Sequence, residues 1–293
     1  MDRSSILLRA FLLIPVTYVV CLIGMPIAYN LLASVQEVNL GNIGTLNRPF
    51  VGLDNFQAAL QDPVFRQVVR NSAVFVFVNV LFQVGIGTIV AASFAGDFPG
   101  SATLRGLLLA AWILPALVVG TIWKWMFASQ NGVVNFLLVK LGIASGPVHW
   151  LSDPGLSMSA LNIAHVWFGM PFSMILIAAA LASVPNELYE AAAIDGAGPL
   201  RRFRYITIPA IAPTLLAVAC LVTIASLRAF DVVLALTRGG PVNSTNVLPL
   251  LSYDTSFQEF DFGRGAAIGT FAFVIVIAVA LIYVRSVRTE QVS

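Results

Sequence analysis

The chain has 293 residues, of which 58% are hydrophobic and 10% are charged, and its mean hydropathy is +0.89. Soluble globular domains carry roughly a quarter charged residues, so this composition excludes that class and indicates an integral membrane protein. The formal net charge of +2 gives no sign of a nucleic-acid-binding surface.

Six apolar segments are long enough to cross a bilayer, since about 20 helical residues rising 1.5 Å each cover roughly 30 Å of hydrocarbon. Helices are expected because in lipid every backbone polar group must be satisfied within its segment, and the alternating pattern of a barrel is absent. We therefore predict an all-α membrane protein with a single transmembrane domain over residues 1–293. The predicted spans are 10–32, 71–95, 104–128, 158–182, 210–233 and 264–285.

Four prolines, Pro15, Pro26, Pro115 and Pro171, fall inside these segments. We expect each to kink its helix, with the freed carbonyls bonded by neighbours or water. The first segment is expected to be retained rather than cleaved, because its apolar run is longer than a signal core and holds no small-residue cleavage site.

The basic residues predict the orientation. With the N terminus inside, the predicted inner side carries Arg3, Arg9, Arg105, Arg201, Arg202, Arg204, Arg285 and Arg288. The predicted outer side carries Arg48, Arg66, Arg70, Lys140, Arg238 and Arg264. The outer loops at 33–70, 129–157 and 234–263 are much longer than the inner ones, so basic residues are denser inside, which predicts cytoplasmic N and C termini.

The one long polar stretch predicted on the inner side is 185–209. We expect a first short helix to begin near Asn186, with this side chain as its cap, and to end or bend at Gly196, where a left-handed conformation is accessible. A second short helix is expected to open at Pro199, carry three arginines and close at Pro209. From the residues alone, two readings remain open: a knob that fits a groove of another protein, or an amphipathic loop on the membrane surface.

The string EAAAIDGAGPLRRFRYITIP at 190–209 fits a pattern of E-A-A, three residues, G, nine residues and I-x-L-P. The matching residues are Glu190, Ala191, Ala192, Gly196, Ile206 and Pro209. Ile208 stands where the pattern has leucine. By this motif the chain resembles the permeases of binding-protein-dependent ABC importers.

Other stretches resemble the carbohydrate-uptake branch of that family, in the half similar to the larger-subunit maltose and glycerol-phosphate permeases. Asp195, Ala197 and Phe203 complete the form EAAxxDGAxxxxxF. The stretches LPALVVGTIWKWMF at 114–127 and FDVVLALTRGGPVNST at 230–245 are also similar to that branch.

The resemblance implies the six-helix type I importer architecture in a bacterial inner membrane, with a cytoplasmic coupling-helix loop. It implies a different but related second permease subunit, two copies of a cytoplasmic ATPase that bind ATP and Mg, and an extracytoplasmic solute-binding protein. The cargo would be a sugar or sugar derivative. Because the chain lacks the G-x-x-x-x-G-K-[ST] phosphate loop, we expect no catalysis, cofactor or metal in this subunit itself.

The resemblance also assigns roles. The residues expected to couple the chain to the ATPase are Glu190, Ala191, Ala192, Asp195, Gly196 and Ala197. Glu190 is expected to contact the ATPase, Gly196 to aim the first short helix, and Asp195 to cap or brace the turn. The loop at 33–70, with a short helix predicted at about 54–69, is expected to form a rim for the solute-binding protein.

Polar groups within apolar spans point to a transport pathway, because they are costly in hydrocarbon. The candidates are Asn79, Gln83, Asn162, His165, Trp167, Arg228 and Asp231. His165 is expected either to pack against a backbone carbonyl or to bond a sugar hydroxyl while Trp167 stacks on the sugar. Arg228 and Asp231 are three residues apart in one predicted span, which favours a structural salt bridge between them.

Trp123 and Trp125 flank Lys124 and are expected to be interfacial belt residues. Two other functions are weighed against an importer. An ion-coupled secondary transporter would use an intramembrane carboxylate such as Asp231 as its relay and often shows inverted repeats, which the sequence does not show. A membrane-embedded enzyme would need convergent catalytic groups, and the chain has no HExxH or paired-histidine motif.

Overall fold

A computed structural model describes the chain outside residues 1–10, 12, 14, 46, 95, 97 and 291–293, and side chains up to residue 285. Arg3, Arg9 and the side chain of Arg288, which enter the predicted orientation, lie outside this description. Within it the regular secondary structure is helical, apart from two isolated β-bridges, and loops join the helices. The contacts between residues divide the chain into two compact units, Met1–Arg66 with Leu251–Val274 and Gln67–Leu250 with Ile275–Ser293.

Twelve helices follow one another in the described part of the chain. They are α1 (Pro15–Ser34), α2 (Asp54–Gln61), α3 (Pro63–Ser93), α4 (Ser101–Ile113), α5 (Ala116–Met126), α6 (Val133–Lys140), α7 (Pro154–Ala182), α8 (Asn186–Ile194), α9 (Pro199–Leu227), α10 (Asp231–Leu236), α11 (Leu248–Phe257) and α12 (Phe262–Glu290). By length and composition α1, α3, α7, α9 and α12 can cross a membrane, and α4 with α5 can form a sixth crossing. That each of them crosses, within one domain, stays a prediction.

The segment predicted as the third span is broken rather than kinked. Helices α4 and α5 meet at an angle of 103°, with Leu114 between them in an extended conformation at ψ 142°. Pro115 forces this, because its ring disfavours the helical conformation of the residue before it. Pro115 is therefore the N-cap residue of α5 and lies just before the helix. The prediction that Pro115 lies inside a helix is wrong.

The other prolines are accommodated differently. Pro171 lies inside α7, as predicted. Pro15 is helical, as are Phe11 and Leu13 before it, and Pro26 follows a π-helical turn at Val20–Gly24. In that turn the Met25 amide donates to the Val20 carbonyl, so the helix continues past a residue that has no N–H.

In the first unit, α1 and the start of α12 share a small core. Ala33 and Val38 are buried together with Ala266. The Asn30 side chain donates to the Thr270 hydroxyl over 3.1 Å, which ties the two helices by a polar bond. The rest of α1 is apolar and mostly exposed, and only 6% of its most apolar stretch is buried. Such a surface is suited to contact with lipid.

In the second unit, the core lies where α3, α5, α7 and α10 converge. Phe75, Val119, Leu161 and Val233 are almost completely buried there. Helices α5 and α10 approach closely at Gly120, since a Cβ atom at that position would lie 2.7 Å from the Ala235 Cβ. A second apolar cluster joins α3, α7 and α9 through residues such as Met174, Ile177 and Val218.

Candidate functional site

Helix α8 begins the segment at 185–209, and each of its nine residues is exposed or only half-buried. Pro185 occupies the N-cap position with extended backbone, φ −61° and ψ 133°, and Asn186 is the first helical residue. No side chain caps this end. The predicted cap by Asn186 is therefore wrong, because the extended proline already sets the entry of the chain into the helix.

The C-terminal end of α8 is a Schellman motif. The Ala197 amide donates to the Ala192 carbonyl over 2.8 Å, and the Gly196 amide donates to the Ala193 carbonyl over 3.1 Å. Gly196 has φ +76°, and a Cβ atom added there would meet nothing within 4 Å. The glycine is thus required by backbone conformation and not by lack of space. The predicted helix end at Gly196 is confirmed.

Pro199 opens α9, as predicted, but the helix does not close at Pro209. It runs without a break to Leu227. A π-helical turn at Phe203–Thr207 precedes Pro209, and the Ile208 amide donates to the Phe203 carbonyl. The wider turn lets the helix continue past Pro209, which has no N–H to donate. The second half of the segment is therefore the start of a long apolar helix and not a separate short one.

The segment exposes large apolar side chains. Ile194 is 87% exposed, Leu200 is 80% exposed, and Leu188 and Tyr205 are also on the surface. Glu190 and Ala191 are exposed beside them, and the Tyr189 hydroxyl lies 3.0 Å from the Thr207 hydroxyl, which ties α8 to the π turn of α9. An exposed helix fixed at its C-terminal end and by a side-chain bond is suited to fit a groove of a partner.

Between α8 and the start of α9 lies a cleft of about 420 Å³. It is lined by Ala192, Asp195, Ala197, Arg201, Arg202, Tyr205 and Ile206. The Nε atom of Arg202 is buried without a hydrogen-bond partner among the described residues. The cleft therefore offers a guanidinium donor next to an apolar helix face. Of the six residues predicted to couple the chain to the ATPase, Ala192, Asp195 and Ala197 line the cleft. Glu190 and Ala191 lie on the exposed face of α8, and Gly196 forms the turn at the end of that helix.

Four of the predicted pathway residues meet in a buried polar network between α3 and α7. The Asn79 Nδ2 donates to Asn162 Oδ1 over 2.9 Å, and Gln83 Nε2 donates to Asn79 Oδ1 over 3.0 Å. The Nδ1 of His165 lies 2.8 Å from the same Asn79 oxygen. All four side chains are buried, so the network satisfies their polar atoms inside the helix pair.

Close packing accompanies this network. A Cβ atom at Gly169 would lie 2.6 Å from the Gln83 Cδ, so only glycine lets the Gln83 side chain lie across α7. The His165 ring packs 4.9 Å from the Phe75 ring. His165 is thus surrounded by protein, and it bonds an amide side chain rather than the backbone carbonyl expected for a packing histidine.

A mostly apolar groove of about 530 Å³ lies beside the network, between α3, α5 and α7. Its lining includes Val78 and Phe82 of α3 and Met170 of α7. Its polar lining consists of Asn162 and Ser159 together with the Trp123 and Trp167 rings. Of the seven predicted pathway residues, Asn162 and Trp167 reach the groove.

Trp123 departs from its predicted place. It is 8% exposed in the core of the second unit, and its ring lies edge-on to Trp167 at 5.7 Å. Its Nε1 is buried without a partner among the described residues, at the groove wall. The belt prediction is therefore wrong for Trp123, because the sharp break before α5 packs this face of the helix against protein; Trp125 is 62% exposed.

Arg228 and Asp231 do not form the predicted salt bridge. Among the described residues the ion pairs are those of Arg264 with Glu259 and with Asp261. Helix α9 ends at Leu227, with Arg228 at its C-cap position, and Asp231 opens α10. The two charges therefore do not share one helical face, and both side chains are exposed.

The family model "Binding-protein-dependent transport system inner membrane component" matches residues 64–289. The chain belongs to this family. The matched range holds α8, the start of α9, the buried network and the groove, and it leaves the first helix outside. The predicted family is thus confirmed over most of the chain.

Similar members of the family are named for sugar transport. The chain is 35% identical to the trehalose/maltose transport system permease protein of Thermococcus litoralis, over 83% of this chain and 82% of that protein. It is 31% identical to the sulfoquinovosyl glycerol transport system permease protein of Agrobacterium fabrum, over 99% and 94% of the two chains. It is 32% identical to a diacetylchitobiose uptake system permease protein of Streptomyces coelicolor, over 99% and 89%.

Solved structures agree on the fold. A chain of a bacterial ABC transporter involved in the import of alginate matches with a TM-score of 0.83 and 20% identity, over 98% of this chain and 96% of that one. A chain of the MetNI methionine ABC transporter matches with a TM-score of 0.54, over 78% and 98%. The predicted all-α type I importer permease fold is confirmed by these matches.

Sequence reasoning missed two features of this family member. Gly169 gave no signal, because only a contact with a distant helix distinguishes it. Trp123 was assigned to the membrane interface from its neighbours in sequence.

Proposed function

We propose that this chain is one of two related permease subunits of an ATP-driven ABC importer that carries a sugar or sugar derivative into the cytoplasm. The other parts are two copies of a cytoplasmic ATPase, which bind ATP and Mg, and an extracytoplasmic solute-binding protein. The family membership and the sugar-permease names of its relatives support this proposal. The observation that carries it is the exposed, fixed helix α8 with its Schellman end at Gly196.

In this proposal α8 seats in a groove on the ATPase. Leu188 and Ile194 supply apolar contacts, Glu190 and Ala191 border them, and the cleft formed with Arg202 accepts a polar group of the ATPase. Ala192 of α8 lines this cleft together with Asp195 and Ala197 of the turn that follows the helix. Charged contacts at the rim of an interface, here those of Glu190 and Asp195, set orientation more than affinity.

Motion of α8 would pass to the membrane part through both flanking helices. Helix α7 ends at Ala182, three residues before Pro185, and α9 continues directly from the segment. The bond between Tyr189 and Thr207 keeps α8 and α9 together. Closure of two ATPase subunits around ATP would favour one arrangement of these helices over another, because only one arrangement fits the closed pair.

The orientation follows from the same assignment. The α8–α9 junction faces the cytoplasm, and with an even number of crossings both termini are cytoplasmic too. The chain lies in a bacterial inner membrane, where lipid covers the exposed apolar surfaces of α1 and α12. The loop at 33–70, which contains α2, contributes to the extracytoplasmic rim.

The substrate pathway is proposed to run along the groove between α3, α5 and α7. Trp167 offers a ring face for a sugar and Asn162 a polar edge. The Trp123 Nε1, buried at the groove wall without a partner among the described residues, is a further hydrogen-bond donor there. Asn79, Gln83 and His165 hold α3 against α7 behind the groove wall. Arg228 and Asp231 are charges exposed at the far end of α9, where a solute would enter.

The test is reconstitution of the complete assembly in lipid nanodiscs with candidate solute-binding proteins of the same organism. Maltose, trehalose, diacetylchitobiose and sulfoquinovosyl glycerol are supplied in turn, with methionine as a control solute. We expect one sugar with its binding protein to stimulate ATP hydrolysis at least tenfold. Absence of stimulation by every sugar, or sugar uptake in vesicles that persists without ATP and collapses with the proton gradient, would reject the proposal.

A further inference from the structure

A second groove, of about 450 Å³, lies where α3, α9 and α12 meet in the second unit. We call it the α3–α9 groove. Its walls include Val69, Ala73, Phe77 and Val80 of α3, Leu227 of α9 and Ile275 of α12. It shares no lining residue with the groove between α3, α5 and α7, so the two grooves are separate sites.

The two polar side chains in the lining of the α3–α9 groove are already bonded. The Leu248 amide donates to the Ser72 hydroxyl over 3.0 Å. The Thr223 hydroxyl donates to the Ala219 carbonyl of its own helix over 2.8 Å. A sugar or a peptide would lose hydrogen bonds to water in such a groove without regaining them from the protein. The occupant that fits is therefore a hydrocarbon chain.

The length of the groove matches one leaflet of a bilayer. Along α3 the groove extends from Val69 to Val80, which is about 16 Å at 1.5 Å per residue. One leaflet contributes about half of the roughly 30 Å hydrocarbon core. An α-helix is about 10 Å across and would fill roughly 1,300 Å³ over this length, about three times the volume of the groove. The groove thus has the size for an acyl chain rather than for a helix of another subunit.

Two arginines stand at one end of the groove. Arg70 follows the lining residue Val69 and shares a helix face with Phe77, seven residues on. Arg228 follows the lining residue Leu227 at the C-cap position of α9. Both side chains are exposed, and the ion pairs among the described residues are those of Arg264, so neither arginine has a carboxylate partner there. A guanidinium group binds a phosphate group with two parallel hydrogen bonds.

This charged mouth lies at the end of the helices opposite α8. The Asn71 side chain donates to the Asn243 carbonyl over 2.7 Å, and the neighbouring Ser244 hydroxyl lies 2.8 Å from the Ser157 hydroxyl. The first turns of α3 and α7 are therefore close together, and α8 follows the other end of α7 at Ala182. A chain that enters the groove at Arg70 runs along α3 towards the middle of the membrane.

We infer that the α3–α9 groove binds one phospholipid, with an acyl chain along Ala73 and Phe77 and the phosphate group held at the mouth by Arg70 and Arg228. Two guanidinium groups against one phosphate leave an excess of positive charge, so the site selects an anionic lipid over one with a cationic headgroup. Only the leaflet rests on the proposed function: with α8 in the cytoplasm, the lipid belongs to the extracytoplasmic leaflet. The lipid contacts α3 and α9 together and so adds to the packing of these helices.

The experiment is native mass spectrometry of the transporter copurified from its membrane and incubated with equal amounts of phosphatidylglycerol and phosphatidylcholine. We expect the wild type to retain phosphatidylglycerol at least fivefold over phosphatidylcholine. Arg70→Gln should lower the retained phosphatidylglycerol at least fivefold, because the phosphate group loses its bidentate partner. Lys140→Gln is the control, since it removes an exposed positive charge of the second unit that does not line the groove. It should change retention less than twofold.

A second pair of variants tests the acyl chain and leaves every charge in place. Ala73→Phe fills the groove, and we expect it to lower the retained phosphatidylglycerol at least threefold. Ala225→Phe places the same ring at an exposed alanine of α9 that does not line the groove, and it should leave retention unchanged. Both alanines are exposed, so neither added ring enters the protein core.

A third measurement identifies the occupant directly. Phe77, which is 68% exposed, is replaced by p-benzoylphenylalanine, and the membranes are irradiated. We expect a covalent adduct with phospholipid. An adduct with another protein subunit instead, equal retention of the two lipids by the wild type, or unchanged retention in Arg70→Gln or Ala73→Phe would overturn the lipid site. None of these results depends on ATP hydrolysis, so a transporter that no sugar stimulates would reject the importer proposal and leave the lipid site standing.

Discussion

The α8–α9 junction and the α3–α7 contact each require a glycine, but for different physical reasons. At the junction, Gly196 stands in open space and is required only because its φ is +76°. In the α3–α7 contact, Gly169 has no such backbone requirement, and it is needed because the Gln83 side chain occupies the place of a Cβ atom. We propose that the first region meets a partner outside the chain, whereas the second is shaped by its own packing.

This comparison predicts that the same substitution will damage folding in one region and coupling in the other. The largest effect is expected for Gly169→Val. The added side chain takes the place of the Gln83 amide and displaces it from its hydrogen bond to Asn79 in the buried network, which we expect to cost about 3 kcal/mol in stability. The midpoint of thermal unfolding in detergent should fall by several degrees, with a lower yield of assembled protein.

The matched control is Gly85→Val, on α3, where an added Cβ atom meets nothing within 4 Å. Both glycines lie within long helices, so the intrinsic cost of valine is similar in the two variants. Equal losses of stability in both would show that the Gln83 contact is not what requires glycine at position 169.

Gly196→Val should act on function. Valine is strained at φ +76°, at a cost of about 1–3 kcal/mol, so the Schellman end opens and α8 loses its fixed direction. Since no atom lies near the new side chain, we expect normal insertion and yield, with sugar uptake in reconstituted vesicles reduced at least tenfold and ATP hydrolysis retained.

Gly198→Val is the control for this variant, because Gly198 also has open space around it but an ordinary φ of −68°. It is expected to keep more than half of the uptake. Normal uptake by Gly196→Val would contradict the assigned role of the helix end in coupling.

The smallest effect is expected in the groove. Trp167→Ala removes the exposed ring face and its edge contact with Trp123, and we expect uptake at saturating binding protein to fall about threefold. Trp125→Ala removes a ring that is 62% exposed and does not line the groove, and it should change uptake little. Similar losses in the two variants would argue against a substrate pathway along the groove.

Features encoded locally were predictable from the sequence. The end of α8 needs only a glycine after a run of helix formers, and the start of α9 needs only Pro199 in a position without an N–H partner. The family motif spans these same residues, so the segment could be recognised and its helix end placed at Gly196. The grouping of polar residues on α3 and α7 was also visible as a set of costly residues in apolar segments.

Features that depend on distant contacts were not predictable. The continuation of α9 through Pro209 relies on a π turn, which has no composition signal. The burial of Trp123 follows from the direction of α5 after a 103° break, and the sequence shows only the proline that causes it. The separation of Arg228 from Asp231 follows from a helix end that neither glycine nor proline marks.

The central claim is that the exposed helix α8 receives the action of an ATPase on the cytoplasmic side. The most direct measurement replaces Ile194, which is 87% exposed, by p-benzoylphenylalanine and irradiates the assembled transporter in vesicles. The same replacement of Val242 is the control. Val242 is 81% exposed and lies in the loop whose Ser244 hydroxyl contacts Ser157, at the opposite end of α7 from α8. The account predicts a covalent adduct between position 194 and the ATPase subunit and none from position 242; an adduct only from position 242, or no ATPase adduct at position 194, would contradict it.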